Sequence, residues 1–295
     1  MTELELAYTE HRKLLLSIAY RMLGSYTDAE DIVQDAFVAL QRGHMEDIRS
    51  IKAYLLKTVT HRCLNHLKSF RKQKEVYTGP WLPEPDIEVY DTSLSPEEQV
   101  MREESVSYAI LVTLQQLSPM ERAIFLLREV LDYDYSQMAE ILDKSETNCR
   151  KMFSRVKQKL NQGDNPTTVT DVQKSSGLYV QAFMKGVRTG NFEGFVHLLT
   201  EQATLVSDGG GKVRAAVFPI FGKDRIQAFL EGIQSKGSFG GELLEVRING
   251  DQGLLLIQEG RPKLAICFGA TPQSDSVKSI FFILNPDKLG RIRHK

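Results

Sequence analysis

Apolar residues recur three and four positions apart between Leu4 and Leu23, at Leu15, Ile18, Ala19 and Met22, and the pattern stops at Gly24-Ser25. That spacing predicts one amphipathic helix. A second helix is predicted from about Thr27, a suitable N-cap ahead of an acidic first turn, with Ala29, Ile32, Val33, Ala36, Phe37 and Leu40 on its buried face. Its other face reads Asp28, Asp31, Gln34 and Asp35. A third, from about Ser50 to Arg71, turns Ala53, Leu56, Val59, Thr60, Cys63 and Leu67 inward. Residues 1–74 therefore read as a small helical bundle.

From 75 to 98 the periodicity is lost. Gly79, Pro80, Pro83, Pro85 and Pro96 interrupt any helix, and Glu84, Asp86, Glu88, Asp91, Glu97 and Glu98 make the stretch an acidic linker. The only tryptophan of the chain, Trp81, stands in it, within Trp81-Leu82-Pro83-Glu84-Pro85. Helical periodicity resumes from Glu98 to Leu117, Ser118-Pro119 opens a helix to about Val130, and a short helix at Tyr135–Leu142 precedes a tight turn at Asp143-Lys144 and a new helix from Ser145. This is helix-turn-helix spacing, within residues 99–163.

Over 164–295 the pattern changes to strand-like runs at Ala203–Ser207, Val213–Phe218, Leu243–Ile248, Gly253–Glu259, Lys263–Ala270 and Val277–Leu284, with helices near Val172–Arg188 and Lys223–Ile233. The expected architecture is thus two all-α domains followed by an α+β domain with a curved antiparallel sheet.

Composition adds little beyond excluding classes. A 295-residue chain with 42% hydrophobic and 25% charged residues is neither disordered nor collagenous. No apolar run approaches the roughly 18 residues of a membrane helix, and the acidic start Met1-Thr2-Glu3-Leu4-Glu5 is unlike a signal peptide, so a cytoplasmic protein is expected. Cys63, Cys149 and Cys267 are widely spaced with no C-x-x-C pair, and read as buried, reduced thiols rather than metal ligands. No metal or cofactor is called for.

Charge changes the picture through its clustering. The net charge is only −1, yet Lys144–Lys159 holds six Lys/Arg against the single acid Glu146, and His61–Lys74 holds five with no acid. In the helix after Ser145, Cys149, Phe153, Val156 and Leu160 form the buried stripe, leaving Asn148, Arg150, Lys151, Arg155, Lys157 and Lys159 on the other faces. A helix so anchored fits the DNA major groove, arginine reading guanine and lysine holding phosphate. Arg62, Asn65, Lys68, Arg71 and Lys72 form a second basic cluster, with Asn65 able to bond a base edge and Phe70 or Tyr77 able to stack on an unpaired base. The acidic stripe Asp28, Asp31 and Asp35 repels phosphate and calls for a basic protein partner or water.

These residues carry a resemblance. Tyr20-Arg21-Met22-Leu23-Gly24 followed by Asp28-Ala29-Glu30-Asp31-Ile32-Val33-Gln34-Asp35-Ala36-Phe37 resembles region 2 of extracytoplasmic-function sigma factors, and Leu117-Ser118-Pro119-Met120-Glu121-Arg122 with Ser145-Glu146-Thr147-Asn148-Cys149-Arg150 resembles region 4. The resemblance implies that Asp28, Asp31, Ile32, Gln34 and Asp35 meet the β′ clamp helices of core RNA polymerase. It further implies that Ile51–Arg71 melts and reads a −10 element, and that the second helix of region 4, near the β flap, reads a −35 element. Cys149 replaces the valine more usual in the family. Trp81–Pro85, Asp208-Gly209-Gly210-Gly211-Lys212 and Asn285-Pro286-Asp287-Lys288-Leu289 are similar to marks of the SigJ-like subgroup, which carries a fused, cone-shaped SnoaL-like domain.

That fold also includes pocket enzymes. Of the side chains suited to acid–base work, His197 lies within Phe195-Val196-His197-Leu198-Leu199 and reads as a core-edge histidine, with Asp208 as its partner by type, so no catalytic residue is assigned. Asp208–Lys212 and Asn285–Leu289 are instead expected to receive the Trp81–Pro85 segment, with the glycine N–H groups and Lys212 suited to an acidic group. The expected function is a sigma factor controlled by its own C-terminal domain, monomeric when free. The alternative is a helix-turn-helix regulator with a small ligand in a C-terminal pocket, which would have no use for polymerase binding through Asp28–Asp35.

Overall fold

In the computed structural model, which describes residues 3–43, 48, 50–74, 77–88, 106–162, 177–270 and 276–290, the first two amphipathic stretches form α1 (Glu3–Leu23) and α2 (Tyr26–Arg42). Gly24, at φ 71°, ends α1 with its N–H on the Tyr20 carbonyl at 2.7 Å. Ser25, not Thr27, is the N-cap of α2: its extended backbone lets the hydroxyl accept the Asp28 N–H at 3.3 Å, so the helix starts earlier than its acidic turn suggested. Together with α3 (Ile51–Lys74) these helices bury Leu15, Ile18, Met22, Val33, Phe37, Leu40, Leu56 and Val59.

Of the helix expected from Glu98 to Leu117, the described part is α4 (Tyr108–Leu114); residues 98–105 lie outside the described residues. A capping box between Ser118 and Glu121 opens α5 (Pro119–Phe125), which widens into a π-helical turn over Leu126–Val130. Then come α6 (Tyr135–Leu142) and α7 (Glu146–Gln162), separated by Asp143 in the left-handed conformation at φ 52°. Short polar residues such as Asp tolerate that conformation, which makes the tight helix-turn-helix angle possible.

The chain divides into two compact units, Met1–Val76 with Thr113–Val169, and Tyr77–Val112 with Thr170–Lys295. In the first, α3 packs against α5 and α6. In the second, a seven-stranded sheet is joined by α8 (Leu178–Thr189), α9 (Glu193–Val196), α10 (Lys223–Gln234) and α11 (Pro286–Leu289). Its strands are β1 (Ile87–Glu88), β2 (Leu199–Asp208), β3 (Ile220–Phe221), β4 (Glu242–Ile248), β5 (Asp251–Gln258), β6 (Arg261–Ala270) and β7 (Val277–Ile283), in the order β1-β4-β5-β6-β7-β2-β3.

Two expectations are corrected here, and one element is added. The sheet is mixed rather than antiparallel, because β2 runs parallel to β7, a pairing no hairpin can make. Val213–Phe218 is not a strand: Val217 and Phe218 remain exposed ahead of Pro219, and pairing with β2 is confined to Ile220–Phe221. The added element lies in the acidic linker, whose Ile87–Glu88 is the edge strand β1, pairing antiparallel with Ile248 and Arg247 of β4.

Alternation along the strands gives the sheet two apolar faces. One is covered by Tyr179, Phe183, Phe192, Phe195, Ile226, Leu230 and Phe239, packed on Leu254, Ile266, Phe268 and Phe282. On the other, Val246, Ile248, Leu255, Ile257, Cys267, Phe281 and Ile283 are covered by Leu82, Tyr108 and Leu289. Burying a leucine side chain such as Leu82 is worth roughly 1.5–3 kcal/mol, which contributes to holding its segment on the sheet.

Candidate functional site

Helical spacing places Asp28, Asp31, Gln34 and Asp35 along one side of α2, where Asp31, Gln34 and Asp35 are exposed. Ile32 is not part of that surface: it is only 8% exposed, and as one of the apolar residues of the bundle core it supports the stripe from beneath. Two of the acids are met by α3. Arg62 donates to Asp35 at 2.9 Å, and His66 Nε2 lies 3.6 Å from Asp28. The His66 imidazole beside it holds the Asp28 carboxyl below the usual carboxylate range, and the carboxylate in turn raises the imidazole.

On α3, Asn65 and Lys68 are exposed and Arg62 half-exposed, with the Lys68 ammonium donating to Asn65 Oδ1 at 3.4 Å. Arg71 and Lys72 belong to α3, but their side chains, like that of Phe70, lie outside the described residues. Tyr77 is not available to stack on a base, because it is built into the second unit, as described below.

α7 buries Cys149, Phe153, Val156 and Leu160 as its spacing demands, and exposes Asn148, Arg150, Lys151, Arg155 and Lys157. The Ser145 hydroxyl accepts the Asn148 N–H at 3.3 Å, which leaves the Asn148 side chain outward at the helix start. Arg150 lies 4.4 Å over the Tyr135 ring and 3.6 Å from Glu146, and Lys157 is 3.4 Å from Glu129. Cys63, Cys149 and Cys267 are free and buried, and burial raises each thiol.

The second unit brings together most of the remaining motif residues. Asp208, at the end of β2, is fully buried, and its four carboxylate acceptor positions are all used. Oδ1 accepts the Tyr77 hydroxyl at 2.6 Å and the Gly210 N–H at 2.9 Å, while Oδ2 accepts the Leu82 N–H at 2.8 Å and the Lys288 ammonium at 2.6 Å. Lys288, on α11, also donates to the Leu82 carbonyl and lies 4.2 Å over the Trp81 ring. Burial lowers the Lys288 ammonium, an effect that Asp208 opposes. Tyr77 is raised, first by burial and then by its bond to Asp208. Buried charges persist only with such complete pairing.

The flanking residues complete this site under the strap, residues 77–88. The Asp208 backbone carbonyl accepts the N–H groups of Leu284 and Asn285; Asn285 caps α11 through the Asp287 N–H at 3.1 Å and donates to the Tyr77 hydroxyl at 2.9 Å. Pro286 opens α11, Leu289 is buried on the sheet, and Lys212 pairs with Asp287. Gly209, Gly210 and Gly211 serve space rather than ligand capture. A Cβ on Gly209 would meet the Val213 carbonyl at 2.4 Å, one on Gly210 would meet Asn285 at 2.4 Å, and one on Gly211 would meet Thr78 at 3.1 Å. The acidic group held by this loop is the domain's own Asp208. Pro83 and Pro85 are buried, Glu84 is half-buried, and the Pro83 carbonyl accepts the Tyr108 hydroxyl at 2.7 Å.

Sequence reasoning gave Tyr77 a different role and missed Tyr108 and the clamp at the strap's far end, where Asn249 exchanges bonds with the Asp86 backbone at 2.8 and 3.1 Å. The signal for that clamp is Asn249-Gly250, a hairpin turn pair with both residues at positive φ. His197 is not at a core edge: it is exposed beside Glu193, and no described contact joins it to Asp208. Among the described residues no helix is long and apolar enough to cross a membrane, and no group of three His, Cys, Asp or Glu side chains is arranged to hold a metal.

Comparisons with known proteins agree with this layout. The profile of sigma-70 region 2 matches residues 7–73, and that of sigma-70 region 4 matches residues 107–160. The chain is 30% identical over 288 residues to the ECF RNA polymerase sigma factor SigJ of Mycobacterium tuberculosis, covering 94% of this chain and 90% of that protein. It is 29% identical over 195 residues to the probable ECF RNA polymerase sigma factor SigI of the same species, covering 65% of this chain and 66% of that one. The crystal structure of Mycobacterium tuberculosis SigJ superposes with a TM-score of 0.75 at 28% identity, covering 97% of each chain, which supports a SnoaL-like C-terminal domain here. With that relative spanning nearly its whole length, the chain belongs to the ECF RNA polymerase sigma factors, SigJ-like branch, and is a non-enzymatic initiation factor that binds core polymerase and promoter DNA.

Proposed function

We propose that this sigma factor works in the cytoplasm as a single chain, meets the β′ clamp helices through Asp31, Gln34 and Asp35, reads and melts a −10 element with Arg62, Asn65, Lys68, Arg71 and Lys72, and reads a −35 element with Asn148, Arg150, Lys151, Arg155 and Lys157. Its SnoaL-like domain controls this activity by holding or releasing the Tyr77–Glu88 strap. The observation that carries the proposal is the Asp208 carboxylate, buried under the strap with every acceptor position used by Tyr77, Gly210, Leu82 and Lys288. A docked strap removes twelve residues, about 40 Å of extended chain, from the reach of the segment that joins the −10 and −35 readers. Control of this kind needs no small ligand, and membership in the sigma family displaces the reading as a ligand-responsive regulator.

The test is run-off transcription with core polymerase, comparing the full-length protein, a form ending after Leu160 and a form lacking Asn285–Lys295. Promoter-specific transcript that differs among the three forms supports control by the domain, and their ranking gives its sign. Equal transcript from all three, together with no effect of Trp81→Ala in the full-length protein, would sink the control.

A further inference from the structure

We propose that Tyr135 is a positioning residue for promoter recognition, holding the Arg150 guanidinium in the orientation that reads a base; this rests on the assignment of Arg150 to the −35 element. Tyr135 is the first residue of α6 and is half-buried, and its ring meets two guanidinium groups, that of Arg150 at 4.4 Å and that of Arg128 at 5.2 Å. Arg128 is itself fixed by its 2.8 Å bond to the Tyr133 carbonyl, and the Phe153 ring packs edge-to-face with Tyr135, their centroids 6.4 Å apart. The ring is therefore held by the helix-turn-helix scaffold before DNA arrives. Bidentate reading of guanine needs the planar guanidinium fork presented in one orientation. An exposed arginine otherwise spreads over many rotamers, and Glu146, 3.6 Å away on the same helix, draws it back along α7. Stacking on an aromatic face opposes both tendencies, and at an exposed site such a contact is worth a factor of about 2–5 in affinity.

The experiment measures binding of the full-length holoenzyme to promoters carrying each base at every −35 position. Tyr135→Ala and Tyr135→Leu should lower discrimination about 2–5-fold at the position where Arg150→Ala loses it, with little change elsewhere. Tyr135→Phe should keep the wild-type profile, since the hydroxyl is not needed for stacking. Leucine preserves apolar packing on Phe153, so a loss shared by alanine and leucine but rescued by phenylalanine belongs to the ring and not to folding. If Arg150→Ala alters the profile but Tyr135→Leu does not, positioning by Tyr135 is refuted while Arg150 stands. If Arg150→Ala leaves the profile unchanged, both assignments fall.

Discussion

Replacing Lys288 by methionine tests the physics of the strap most directly. Met fills nearly the same volume but removes the cation that pairs with Asp208 at 2.6 Å, bonds the Leu82 carbonyl and lies over Trp81. Asp208 is 0% exposed, so the variant leaves a buried carboxylate with three neutral donors, Tyr77, Gly210 and Leu82, and no counter-charge. Breaking a buried pair from one side costs about 3–5 kcal/mol. With a urea slope of about 2 kcal/mol/M for a unit of this size, the midpoint should fall by about 1.5–2.5 M. Trp81 is the only tryptophan and lies in the strap itself, so its fluorescence follows this unit. The double variant Asp208→Asn/Lys288→Met removes the orphaned charge and should recover part of the loss. A Lys288→Met midpoint within about 0.3 M of wild type, or a double variant no better than the single one, would refute the reasoning.

Burial pushes the half-buried Asp251 carboxyl up to about 6. The folded protein therefore holds this proton longer than the unfolded chain, and stability falls as pH rises through that window, by at most about 3 kcal/mol. Asp251→Asn should raise stability at pH 7 and flatten its dependence between about pH 4 and 6, measured by urea unfolding; an unchanged pH profile would exclude Asp251 as its source. Asp31→Arg should weaken binding to core polymerase at least about tenfold without changing stability, whereas Ile32→Ala should cost about 2–4 kcal/mol of stability, both read by anisotropy of labelled protein and by thermal unfolding. Arg150→Ala should lose about 1–3 kcal/mol at one −35 position if it reads a base, while a uniform loss across −35 sequences would make it a phosphate contact.

What the sequence determined by itself is largely what local spacing encodes. The stripes Ala29-Ile32-Val33-Ala36-Phe37-Leu40 and Cys149-Phe153-Val156-Leu160 specify both the existence of α2 and α7 and which side chains point outward, because a helix repeats every few residues regardless of its neighbours. The helix-turn-helix and the polar faces were legible for that reason. Boundaries were less so: the choice of Ser25 over Thr27 depends on the backbone of Gly24-Ser25, which the side-chain pattern does not carry.

Tertiary structure alone decided the features that join distant residues. Two residues, Ile87 and Glu88, become a strand only because the edge of β4 offers them hydrogen bonds, and no periodicity can announce a strand of that length. The motifs 81–85, 208–212 and 285–289 named the participants in the strap site, but their chemistry was inverted. The loop's acid is Asp208 itself, Lys288 rather than Lys212 is the buried cation, and Tyr77 belongs to this site and not to a base stack. Burial of the ion pair is a property of the packed sheet, strap and α11 together, and a charge becomes costly or useful only once water has been excluded from it.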